Sequence, residues 1–316
     1  MLRPRVGAAL LAVQVFFGVH YFAAKLALGM VPARAWATLR IVAAALLLLG
    51  WQLLRRRGMP PRHEWGRLAL FSLFGITINQ LLFAEGLSRT TPSHSAILNS
   101  LIPVMTLVIA MIVQHERATP ARIGAVAVSF VSVLVLLRVE SFRLDDRLVV
   151  GDLLTLANAT SFSAYLVMSR RAMRRMDPLG ATAVILGFGA LGVSAVGAPA
   201  LAQVPFATLP VRFWLLMGYA VIFATVVCYG LNAYALSHTD SSMVALFIYL
   251  QPPIATALSM IFLGERPDLR FWIAAAGVFA GVALAIRAHA AERGSRPGDT
   301  SGGAYTRFDA LAPGEP

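Results

Sequence analysis

Leu87-Ser88-Arg89-Thr90 returns as Leu236-Ser237-His238-Thr239, 149 residues further along the chain. The match runs without a gap from about residue 82 to residue 117. Ser93 and Ala96 align with Ser242 and Ala245, Leu101-Ile102-Pro103 with Leu250-Gln251-Pro252, and Met111 with Met260. Glu116-Arg117 aligns with Glu265-Arg266, each pair following its proline at the same distance. Apolar sequences match at Leu and Ala through composition alone. A proline, a glutamate and an arginine held in one register require repetition, so the chain reads as two related halves. A small shift of register, to an offset of 145, also pairs Phe17 with Phe162 and Lys25 with Arg170.

Around this repeat the chain is apolar. Of its 316 residues 58% are hydrophobic and only 13% charged, with a mean hydropathy of +0.72. That leaves too little charge to cover a soluble protein of this length. The apolar residues come in runs of about 20, the length that crosses the hydrocarbon core as a helix. Spans are expected at 6–29, 34–54, 65–87, 92–114, 119–138, 151–171, 178–200, 212–236, 241–263 and 268–288. Between them lie clusters such as Arg55-Arg56-Arg57-Gly58-Met59-Pro60-Pro61 and Gly264-Glu265-Arg266-Pro267, which end helices and cannot rest in hydrocarbon. The fold class is therefore all-α and polytopic, with ten transmembrane helices. The first half covers 1–138, a charged loop 139–150, the second half 151–288 and a Gly/Ser/Pro-rich disordered tail 289–316. The first apolar stretch is too long for a signal-peptide core and reads as a retained span.

The net charge of +12 belongs to short loops, where basic residues orient a membrane protein, and nucleic acid is not an expected partner. With the N-terminus in the cytoplasm, seventeen Lys and Arg residues face the cytoplasm and eight the opposite side. Both termini are thus expected in the cytoplasm. The single cysteine, Cys228, excludes an internal disulfide. No His, Cys, Asp or Glu spacing points to a metal, and no cofactor is implied.

Five spans per half is an odd number, so the second half enters the membrane inverted relative to the first. Loop charge follows: the loop after span 2 is strongly basic and its counterpart after span 7 has only Arg212. Inverted repeats occur in secondary transporters, with the substrate at the repeat interface near the midplane. Two five-span halves, each with a helix running from Ser100-Leu101-Ile102-Pro103 or Leu250-Gln251-Pro252 to Glu116-Arg117 or Glu265-Arg266, resemble the EamA-type family of the drug/metabolite transporter superfamily. Gly151-Asp152-Leu153-Leu154 fits the same pattern, whereas span 1 shows Phe17-Gly18 in place of the usual Trp-Gly. The resemblance implies a ten-helix inverted-repeat fold, a central cavity, and transport of amino acids, other metabolites or drugs, often outward.

Polar side chains deep in a span are costly unless they face a cavity or a partner. His20, Asn79, Asn99, Tyr165, Tyr229, Tyr249 and Gln251 are the candidate substrate-binding residues; each has a structural alternative as a helix-bridging or packing group. His20 stands out because imidazole titrates near neutral pH. Pro103 and Pro252, read as mid-span prolines, are candidate hinges. Lys25 and Arg40 are expected to snorkel, with a carboxylate-binding role as the alternative. Gly277-Val278-Phe279-Ala280-Gly281 permits close helix contact within the chain or in a homodimer.

The expected function is secondary transport of a small-molecule substrate across the inner (plasma) membrane, outward by alternating access. The alternatives are an importer of the same fold and a membrane-embedded lipid-modifying enzyme. The enzyme lacks the clustered carboxylates, histidines or metal ligands that such chemistry needs.

Overall fold

The computed structural model describes residues 4–55, 58–113, 119–137, 146–173, 175–238 and 247–294. Among them the chain is helical throughout, in ten successive stretches. They are α1 (Pro4–Leu28), α2 (Ala33–Arg55), α3 (Arg62–Arg89), α4 (Pro92–Val113) and α5 (Pro120–Leu136). The second set is α6 (Arg147–Met173), α7 (Pro178–Ala202), α8 (Val211–Val221 running on through Ile222–Val227 to Cys228–His238), α9 (Ile248–Leu263) and α10 (Leu269–Gly294). Six of the described helices, α1 to α4, α7 and α8, are long and apolar enough to cross a membrane; α5, α9 and Leu269–Leu284 of α10 are shorter apolar helices.

Several helix ends are capped. Thr91 accepts from the His94 amide at 3.2 Å ahead of Pro92 in α4. Asp177 accepts from Gly180 at 2.7 Å ahead of Pro178 in α7. Both are N-caps followed by a proline where its missing N–H is harmless. Gly264 ends α9 in the left-handed conformation, φ 66°, which a side chain would strain. Two boundaries differ from expectation. Asp146 caps Leu148 at 2.8 Å, so α6 begins at Arg147 inside the expected loop 139–150. α10 continues to Gly294, past the expected tail start at 289, because Ala288-His289-Ala290-Ala291-Glu292-Arg293 holds no helix breaker. Glu116-Arg117 and residues 239–246, where span 9 was expected to begin, lie outside the described residues.

Helix pairing exchanges between the halves. The two most extensive packings are α2 on α7 and α5 on α10, both antiparallel. α6 runs antiparallel to α3 and parallel to α4. α1 runs antiparallel to α8 and parallel to α9. Exchanging α1–α5 with α6–α10 maps each of these pairs onto another. Two π-helical turns obey the same exchange: Leu73–Ile78 in α3 and Ile222–Val227 in α8, 149 residues apart.

The helix ends sort onto two faces. On one, Lys25, Arg34, Glu85, Thr90, His94, Arg147 and Asp152 meet, drawn from α1, α2, α3, α4 and α6. On the other, Gly180 at the start of α7 packs on the Gly58 carbonyl after α2. The exterior is strongly apolar, with Leu46, Leu54, Ile112, Val211, Ile261 and Leu269 exposed, while Gln14, Arg40, Gln52, Asn79, Asn158 and Gln251 are buried. That distribution inverts the order of a water-soluble protein and suits a hydrocarbon solvent. The chain is a polytopic helical membrane protein.

Gly277 and Gly281 of α10 pack on Ser132 and Ser129 of α5, so the Gly-x-x-x-Gly surface is used within the chain. A side chain at Gly281 would meet the Ser129 hydroxyl and, at 2.9 Å, the Ala125 carbonyl. Gly281→Leu is expected to destabilise the protein by about 1–3 kcal/mol, read as a lower melting temperature in detergent. Gly218→Leu in α8, where nothing lies within 4 Å, should leave it unchanged or slightly raised. Equal behaviour of the two variants would contradict the α5–α10 packing.

Candidate functional site

The π turn in α3 is followed directly by Asn79 and Gln80. A π turn re-aims the side chains after it and is frequent at functional sites. Asn79 Nδ2 donates to the Asn158 carbonyl at 3.3 Å, and Asn158 Nδ2 donates back to the Asn79 carbonyl at 2.8 Å. This reciprocal clamp locks α3 to α6. Gln80 Nε2 donates to Asn79 Oδ1 at 2.7 Å, which turns its own Oε1 toward the Arg40 guanidinium of α2.

Arg40 is the centre of this group. It is buried and contacts His20 Nε2 of α1 through one terminal nitrogen and Gln80 Oε1 through the other. A guanidinium can only donate, so Nε2 of His20 accepts and the imidazole proton lies on Nδ1. His20 stacks on Phe83 with ring centroids 5.7 Å apart, and Arg40 lies 6.0 Å from the same ring. Tyr229 of α8 is within electrostatic range of Arg40. Arg40 therefore does not snorkel: it sits about 10 Å along α2 from its N-terminal end, at 1.5 Å per residue.

A second group begins on the other edge of Phe83, where Tyr21 packs at 5.6 Å. Tyr21 donates to Gln251 Oε1 at 3.4 Å, and Gln251 Nε2 donates to Gln14 Oε1 at 2.6 Å. Asn99 lies beside the Tyr21 hydroxyl and donates to the Ser95 carbonyl at 3.0 Å. Phe83 thus joins two polar groups drawn from α1, α2, α3, α4, α6, α8 and α9. Of the sequence candidates, His20, Asn79, Asn99, Tyr229 and Gln251 fall in these two groups. Tyr165 lies beside them, its ring pressed on Gly75 in the π turn of α3 and on Phe162 at 5.5 Å. Tyr249 does not join them. It packs edge-on against Phe279 of α10 at 6.0 Å, in an apolar cluster, because it points outward from α9 where Gln251 points inward.

The prolines start helical segments and do not interrupt them. A turn at Ser100–Leu101 breaks α4, and Pro103 is the second residue of the following segment, Ile102–Val113. A 3-10 turn at Ile248–Leu250 precedes Gln251–Leu263, of which Pro252 is the second residue. In a first turn the absent N–H removes no intrahelical bond. The break therefore belongs to the turn, and the proline defines where helix resumes.

Two side-chain arrangements escaped the sequence reading. Lys25, expected to snorkel, donates to the Leu87, Ser88 and Thr90 carbonyls at 2.7, 3.4 and 2.5 Å, capping the C-terminus of α3. Asp152, fully buried, accepts from Thr90 and bonds His94 Nδ1 at 2.8 Å. An acid inside an otherwise acid-free span was the available signal for Asp152; nothing in the sequence pointed to His94. A pocket of about 400 Å³ opens beside these groups, lined by Lys25, Ser88, Arg89 and Arg147.

Removing the Asn158 side chain (Asn158→Ala) deletes one half of the α3–α6 clamp. The expected cost is about 0.6–2 kcal/mol, measured as a drop in melting temperature of the detergent-solubilised chain. Asn232→Ala, at a part-buried position of α8, is the comparison and should cost less.

Comparison with known proteins agrees with this architecture. An uncharacterized transporter of Archaeoglobus fulgidus is 25% identical over 259 residues, covering 78% of this chain and 84% of its own. The WAT1-related protein At3g02690 of Arabidopsis thaliana, a chloroplastic protein, is 26% identical over 79% of this chain and 62% of its own. The uncharacterized inner membrane transporter YedA of Escherichia coli K12 is 23% identical over 86% and 87%. A solved crystal structure shares the fold, with a TM-score of 0.61 at 21% identity over 93% of this chain and all of the other. The model of the EamA-like transporter family matches residues 6–138 and again 149–287, and the chain is a membrane transporter belonging to that family.

Proposed function

We propose that this transporter moves small organic solutes outward across the cell's inner membrane, crossing it ten times as two inverted five-helix repeats with both termini in the cytoplasm. In this reading the halves are residues 1–138 and 151–288, and substrate sits between them at the two polar groups joined by Phe83. The observation that carries it is the exchange of parts between halves. Helix pairings, the π turns of α3 and α8, and the turns preceding Pro103 and Pro252 all recur under one swap. Two halves that differ slightly in conformation can trade those conformations, which carries a site between them from one face to the other. The π turns and breaks are where such a change of shape requires least loss of helix hydrogen bonding. The polar residues lie in the interior, where a lipid-facing protein has no solvent to satisfy them. The outward direction rests on the family resemblance.

The test is counterflow in proteoliposomes with labelled amino acids, sugars and organic acids. At least one solute should exchange above protein-free vesicles. His20→Ala and Gln251→Ala should each slow it about tenfold, the factor that ~1.4 kcal/mol of lost interaction gives, without loss of folded protein. No exchange by folded protein would remove the transport reading, and unaffected variants would move the site elsewhere. Inversion is tested apart from transport. Arg55→Cys and Arg212→Cys stand at equivalent loops of the two halves. An impermeant maleimide should reach the first only from the cytoplasm and the second only from outside. Labelling from one side only would defeat the inverted arrangement.

A further inference from the structure

We propose that the transported solute carries a single carboxylate, and that Arg40 is its counter-ion in the bound state. The inference deepens the transport reading above and rests on it. Arg40 is 95% buried within the helix bundle, at 5% relative exposure. A buried guanidinium stays charged and needs a countercharge or full hydrogen bonding. It has neither among the described residues. Its described partners, His20 and Gln80, are neutral acceptors, and Nε has no partner.

Among the described residues no acid bonds Arg40. The helices α1, α2, α4, α5, α7, α8 and α9 contain no Asp or Glu. In α3, Glu85 is held by Arg34 and Arg89, and Glu64 by Arg67. In α6, Asp152 is held by Thr90 and His94. Glu292 stands in the last turns of α10.

The orphaned atoms have one chemistry. Because Nε2 of His20 faces the guanidinium, its Nδ1 is an N–H donor, and it too is buried without a partner. Two unpartnered donors, one of them on an uncompensated cation, call for an acceptor that brings negative charge. The free Nε edge of a guanidinium fits the two oxygens of a carboxylate side by side. One cation balances one negative charge, which favours a monocarboxylate over a phosphate ester of two charges. Phe83 and Tyr21 flank the position, leaving an aromatic wall for the body of the solute.

The test uses the full chain in proteoliposomes at pH 7. Counterflow of gluconate, glycerate and phenylalanine is compared with that of their primary amides and of glycerol phosphate. At least one carboxylate should exchange, with its amide and the phosphate ester at least about tenfold slower. Arg40→Gln should lose that exchange, and Arg40→Lys should keep part of it. Should Arg40→Gln fail to fold, the wild-type ratio of acid to amide decides, together with the melting temperature that the acid raises and the amide does not. Equal exchange of acid and amide, preference for the phosphate ester, or full activity of folded Arg40→Gln overturns the proposal. Exchange of neutral or cationic solutes only would overturn it while transport stands. If no solute of any charge exchanges, the transport reading falls and takes this one with it.

Discussion

Hydrocarbon offers no hydrogen bonds, so a polar group carried by these helices is costly unless protein meets it. That constraint sets much of the packing. Thr38 donates to the Val193 carbonyl at 3.1 Å, Ser72 to Ile185 at 2.7 Å, Ser161 to Phe74 at 2.7 Å and Tyr219 to Phe16 at 2.7 Å. Each bond joins two helices and fixes their register, which apolar contact between lipid-like surfaces cannot do. The glycines of α7 act in the same way by shape. Gly189 and Gly192 leave room for Ile76 and Thr77, so the π turn of α3 can lie directly against α7.

Departures from regular helix gather where the polar groups are. The π turn of α3 ends at Asn79, and the broken start of α9 places Gln251 in its first turn. Irregular backbone at this depth is tolerated only inside protein, where side chains can answer freed carbonyls. Ser163, for example, donates to the Ile102 carbonyl at 3.1 Å beside the break in α4. The π turn of α3 also precedes Gln80, which meets Arg40.

Much of the fold was legible in the chain. Apolar runs located the described helices, most ends to within a few residues, because crossing hydrocarbon demands length and composition that hydropathy records directly. Boundaries failed where a side chain decided them, as when Asp146 capped α6 early. The candidate site was legible only as residue types. Gln251 and Tyr249 are two positions apart in α9 and looked alike. One faces Gln14 and Tyr21, and the other faces Phe279. Lys25 and Arg40 looked like a snorkelling pair. One caps a helix with its three donors, and the other is buried against a histidine.

The sequence by itself determined that the chain is a helical membrane protein built from two related halves. Both are properties of composition and register, readable one residue at a time. Only the tertiary structure decided which polar residues meet. The span of a helix follows from its own residues, but the direction of a side chain acquires meaning from the neighbour it faces. Arg40 and His20 are twenty residues apart on different helices, and nothing local brings them together. The turn before Asn79, the clamp to α6 and the packing of Phe83 do, acting jointly.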